Sequence, residues 1–79
     1  MPLSKIDVEK TCMNIRDLCD RRDVSIRDIQ AALRLSSPQA VYRWYQADGI
    51  PSIDDLIALA DLFDVSVYDI LVVKPPGSE

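Results

Sequence analysis

Apolar and small residues at Val8, Cys12, Ile15, Leu18 and Cys19 recur at three- and four-residue steps, the spacing of a helix with one buried face. Asp7 or Ser4 is placed to cap its start. A later segment repeats the pattern with Ile53, Leu56, Leu59, Ala60 and Phe63 on one side and Asp54, Asp55 and Asp61 on the other. Between them lie two shorter amphipathic stretches, with core positions Ile29 and Leu33 in the first and Val41 and Trp44 in the second.

The polar residues mark where these helices begin. Ser25-Ile-Arg-Asp28, Ser52-Ile-Asp-Asp55 and Ser66-Val-Tyr-Asp69 share one order of serine, apolar residue, spacer and aspartate. In each, the serine hydroxyl can take a first-turn amide while the aspartate reaches back to the serine's own amide. The carboxylate also meets the positive end of the helix dipole. Val24, Pro51 and Val65 stand where an apolar residue staples such a start. A fourth start is Ser37-Pro38, with serine at N-cap and proline at N1, where no intrahelical donor is lost.

The pattern therefore predicts helices over 7–22, 26–34, 38–47, 53–63 and 67–72. They form one all-α domain over 1–72, followed by a flexible tail over 73–79. The second and third helices are joined only by Leu35-Ser36-Ser37, so they must cross steeply, as a helix-turn-helix does.

Composition narrows the chemistry. The chain has 79 residues and buries only about 60–65% of its unfolded surface. Two glycines leave no phosphate-cradling loop, and the absence of histidine removes the usual neutral-pH acid or base. No serine or cysteine nucleophile stands beside a base, so an enzyme is not expected, nor any cofactor. Cys12 and Cys19 lie two helical turns apart, about 10 Å, beyond disulfide reach, and are read as small buried hydrophobes in a reducing compartment. The aspartates fit caps and a solvated face rather than a metal site. No apolar run approaches a membrane span and the start has no signal core, so the expectation is a cytoplasmic protein with no membrane partner.

Net charge is −4, unevenly spread. Residues 1–15 balance. Residues 16–46 hold six arginines against four aspartates, and residues 47–79 hold six aspartates and Glu79 against Lys74. The middle of the chain is thus positive, the last third strongly negative.

The run from Asn14-Ile15-Arg16 to Ile70-Leu71, through NIRDL, VSIRDIQAALRLSSPQAVYRW, IPSIDDLIALADLF and VSVYDIL, resembles a Cro/repressor-type (XRE family) helix-turn-helix domain. SSPQAVYRW followed by PSIDDL resembles a group of small bacterial regulators in that family. The resemblance implies a five-helix, lambda-repressor-like DNA-binding domain that regulates transcription. It implies a homodimer on double-stranded operator DNA, with the third helix in the major groove. Base readout then falls to Gln39, Ala40, Tyr42, Arg43 and Gln46, opposite Val41 and Trp44. Glutamine suits the adenine N6/N7 edge and arginine the guanine O6/N7 edge. Phosphate contacts fall to Asn14, Arg16, Arg27, Ser36 and Ser37. No small-molecule ligand is expected.

The chain departs from the family pattern in three places. Ile26 stands where glutamine commonly opens the second helix. Asp23, Arg34 and Asp64 occupy helix ends where glycine is common. The loop Ala47-Asp48-Gly49-Ile50 carries a negative charge where DNA binders are often basic. Ile26 and the loop without basic residues support an alternative: a protein-interaction module on the same fold, anti-repressor or antitoxin-like. An exposed Ile26 among other apolar groups would favour it.

Overall fold

The computed structural model describes residues 4–75. In chain order these form β1 (Lys5–Ile6), α1 (Val8–Arg22), α2 (Ile26–Ala32), α3 (Gln39–Tyr45), α4 (Ile53–Phe63), α5 (Val67–Ile70) and β2 (Val73–Lys74). The fold is all-α apart from the two short strands. α3 packs on α1 and α2, while α4 packs on α1, α2 and α5. Ile15, Ile29, Val41, Leu59, Phe63 and Ile70 meet in the centre with essentially no exposure, and Trp44 joins them at 4%.

The caps of α2, α4 and α5 follow the serine code, one of them only in part. The Asp28 amide donates to Ser25 Oγ at 3.0 Å, and the Ser25 amide donates to Asp28 Oδ2 at 2.9 Å. Ser66 and Asp69 form the same reciprocal pair at 3.2 and 2.9 Å. At α4 only half of the box forms: the Asp55 amide donates to Ser52 Oγ at 3.2 Å, and the carboxylate does not return to the serine amide. Asp7 caps α1, accepting from the Lys10 amide at 3.0 Å.

The four longer helices end alike. Asp23, Arg34, Ala47 and Asp64 all adopt the left-handed conformation, with φ of 54°, 55°, 59° and 58°. After each, a six-residue hydrogen bond closes the helix: Val24 to Cys19, Leu35 to Gln30, Asp48 to Arg43 and Val65 to Ala60, all at 2.9 Å. This is the Schellman arrangement, in which glycine normally holds the left-handed position. Val24, Leu35 and Val65 then pack against the core, supplying the apolar contact that goes with the motif. Asp48 breaks that pattern.

Several expectations need correction. α5 stops at Ile70 rather than 72, because Asn14 takes two of its carbonyls. Asn14 Nδ2 donates to Asp69 O at 2.7 Å and to Ile70 O at 3.0 Å, and Leu71 is extended. The segment expected to be a loose tail from 73 instead pairs Val73 and Lys74 antiparallel with Ile6 and Lys5. Buried Thr11 anchors it: the Val72 amide donates to Thr11 Oγ1 at 2.9 Å, and that hydroxyl donates to Val72 O at 3.3 Å. The Asp7 amide also donates to Val72 O, at 2.7 Å. The rest of the expected tail, 76–79, lies outside the described residues. Ile53, counted in the apolar stripe of its helix, is 77% exposed because the core closes over Leu56, Leu59, Ala60 and Phe63 without it.

Both thiols are buried and free. Burial pushes each above the usual cysteine range. Cys12 donates to Gly49 O at 3.2 Å, fastening the loop after α3 to α1. Among the described residues no helix is long and apolar enough to cross a membrane.

Candidate nucleic-acid interface

α2 runs into the connection 33–38 and then into α3. α2 is shorter than the predicted 26–34 because Leu33 and Arg34 turn the chain, with Arg34 in the left-handed position. At the start of α3 the order shifts by one residue. Pro38 holds the N-cap place and its carbonyl accepts from the Tyr42 amide at 3.1 Å. Ser37 Oγ reaches the Gln39 amide only at a long 3.5 Å. The proline still begins the helix, as it has no amide that the first turn would need.

Val41 and Trp44 pin α3 to the core. The opposite face leaves Gln39, Tyr42, Arg43 and Gln46 exposed. Gln39 and Arg43, one helical turn apart, project from the same side. Ala40, also expected on that face, is half-buried and packs against the core, which removes its methyl from the exposed set. A methyl placed on Gly49 would stand 3.5 Å from Arg43 Nη2, so this guanidinium rests beside the loop that follows α3.

Around this helix the other expected residues divide. Arg27, Ser36 and Ser37 are exposed. Arg16 is exposed too, with its guanidinium carbon 5.2 Å from the centre of the Tyr45 ring. Tyr45 is half-buried, its hydroxyl facing Cys19. Desolvation, reinforced by that thiol, raises it well above the usual phenol range. Asn14 is spent on the carbonyls of α5 and is withdrawn from the phosphate set, because among the described residues no other side chain serves those two carbonyls.

At the start of α2 the Asp28 carboxylate accepts from the Ser25 amide and the Ser25 hydroxyl from the Asp28 amide. Hydrogen bonds from the Ser25 amide and hydroxyl hold this carboxyl below the usual carboxylate range. An anion approaching the start of α2 meets the Asp28 carboxylate as well as the exposed Arg27 side chain. Ile26, at N1, is half-buried against the core and so does not offer the exposed apolar spot that the protein-interaction alternative asks for.

Sequence reasoning assigned no function to Arg34. It lines a shallow concavity with Arg27, Gln30, Ala31 and Leu35 on the outer side of α2. The seven-residue step from Arg27 to Arg34, two helical turns, was the available signal. Among the described residues the one ion pair is Arg21 with Asp17, at 3.0 Å on the solvated side of α1. Arg16, Arg27, Arg34 and Arg43 therefore carry no carboxylate partner there, and their charge is free to meet an anion. The chain that follows α3 carries charge of the other sign, beginning with Asp48 in the loop beside Arg43: no lysine or arginine occurs between Arg43 and Lys74, while six aspartates do.

The helix-turn-helix family model matches residues 15–70, from the middle of α1 to the end of α5. Neither the curated proteins nor the solved structures provide a match.

Proposed function

The chain belongs to the Cro/repressor-type (XRE) helix-turn-helix family of DNA-binding regulators, and from that premise we propose that it regulates transcription by holding α3 in the major groove of a specific operator, as a homodimer. The observation that carries this reading is the exposure of Gln39 and Arg43 on one side of α3, back to back with buried Val41 and Trp44. Burial of the tryptophan fixes the helix; the exposed pair is then presented in a fixed orientation.

In this reading Arg43 forks onto the O6/N7 edge of a guanine and Gln39 onto the N6/N7 edge of an adenine, each discriminating by about 1–3 kcal/mol. Gln46 and Tyr42 extend the reading face. Arg16, Arg27, Arg34, Ser36 and Ser37 set the register by meeting phosphates, which carry no sequence information themselves. One helix reads too few base pairs for useful specificity. Two protomers on half-sites about 34 Å apart supply the rest.

The phosphate set is modest. Three arginines per protomer, six per dimer, correspond to a salt slope of about −5 at about 0.9 per phosphate. The aspartates of α4 and α5 must face away from the duplex. Titrating the DNA upstream of the protein's own gene against a scrambled duplex, at low and moderate salt, tests the reading. Preference for the native sequence with a slope near that value supports it. Equal binding to both sequences, or none, refutes it.

A further inference from the structure

The outer side of α4 has no role in the core and none in the proposed DNA contact. Ile53 is 77% exposed and Ile57 50% exposed. They stand four residues apart, one above the other on the same helix face. Asp54 precedes Ile57 by three residues and Asp61 follows it by four, so both carboxylates flank it on that face, and both are exposed. Single exposed isoleucines are ordinary on protein surfaces. Here two are stacked and framed by acid, on a helix whose core contacts are complete without them.

We infer that this face of α4 docks a basic segment of another protein, one that presents an apolar pair with lysines or arginines beside it. Charge selects the occupant. A polyanion is repelled, as the stretch from residue 44 to 73 contains six aspartates and no cationic residue. A second copy related by a two-fold axis would set Asp54 and Asp61 against the same carboxylates, a like-charge juxtaposition that disfavours the contact. A basic amphipathic segment meets both features at once: its apolar residues cover Ile53 and Ile57, and its cations face Asp54 and Asp61. The docking needs no DNA. The same negative charge that keeps nucleic acid off α4 would leave the face open on a DNA-bound chain.

The test is a titration of the ¹⁵N-labelled full chain, without DNA, with a synthetic amphipathic helical peptide of leucine and lysine. A control peptide has glutamate in place of every lysine. The lysine peptide should move and saturate amide signals over 53–61, and the glutamate peptide should not. The double variants Ile53→Ser/Ile57→Ser and Asp54→Asn/Asp61→Asn, both at exposed positions, should each weaken binding roughly fivefold or more. Unchanged signals from the rest of the chain show that each variant is folded. Shifts centred away from α4, or full affinity in the isoleucine variant, would overturn the inference by reducing the interaction to unspecific charge. Self-association in sedimentation that the isoleucine variant abolishes would overturn it as well, with a second copy as the occupant.

Discussion

Arg16 and Tyr45 join two helices that are far apart in sequence: the arginine on the outer side of α1 lies 5.2 Å above the ring that ends α3. Such a contact at a partly exposed site contributes about 0.5–1 kcal/mol. Its larger consequence is geometric, since it ties a free cation to the helix proposed to read bases. Arg16→Ala should weaken DNA binding and lower the magnitude of the salt slope by about 0.9 per protomer. Tyr45→Leu should weaken binding less and leave the slope unchanged, because the charge remains but is no longer held. Tyr45→Phe, which keeps the ring, should bind as the parent does. Anisotropy titrations at several salt concentrations separate the three.

Asn14 distinguishes a structural amide from a phosphate contact. Asn14→Ala leaves the carbonyls of Asp69 and Ile70 without their donor, and should cost about 1–3 kcal/mol of stability. DNA affinity of the folded variant should match the parent at the same salt, with the same slope. Thermal unfolding beside a binding titration checks both halves.

Ala47 holds a left-handed conformation with φ of 59° and no side-chain reason to do so. Strain of this kind costs on the order of 1 kcal/mol, part of which glycine's extra unfolded-state freedom would offset. Ala47→Gly should therefore stabilise the domain by about 0.5 kcal/mol, raising Tm by a few degrees. Arg34→Gly should show the same sign in unfolding while weakening DNA binding. A calorimetric scan of each variant measures the difference.

Acid should unfold the chain through its caps. The carboxyls of Asp28 and Asp69 lie below their ordinary range, chiefly through hydrogen bonds from the backbone of Ser25 and Ser66. A depressed folded-state pKa stabilises the fold above the unfolded value, near pH 4 for aspartate, and that contribution is lost as pH falls through the folded value. Tm should hence fall as pH drops below about 4. The double variant Asp28→Asn/Asp69→Asn should start lower and show a flatter acid limb. Unfolding midpoints measured across that range provide the check.

What the sequence disclosed and what it hid divide by the range of the interactions. The starts at Ser25, Ser52 and Ser66 were readable because a cap is settled within four residues. The half-formed box at Ser52 was not, since the residue types alone do not say whether Asp55 turns back. Left-handed ends at Asp23, Arg34 and Asp64 were visible only against a family pattern that has glycine there. Ala47 carried no mark at all. The strands at 5–6 and 73–74 are too short to show alternation, and they depend on Thr11 meeting Val72 across most of the chain. Ile53 looked like core because amphipathic counting treats every apolar residue alike, whereas the neighbouring helices decide which of them are covered. In the candidate site, the same limit hid the inward turn of Ala40 and the internal use of Asn14. Both are compatible with either role by residue type, and only the packing of α3 and α5 on α1 chooses.

The central claim is that the exposed side of α3 reads base pairs, and the most direct measurement compares Gln39→Ala, Arg43→Ala and the parent on one operator duplex and one scrambled duplex at fixed salt. Each substitution should cost about 1–3 kcal/mol per protomer on the operator and much less on the scrambled duplex, with the thermal unfolding of the chain unchanged. Variants that bind the operator as tightly as the parent, or that lose affinity for both duplexes equally, would contradict it.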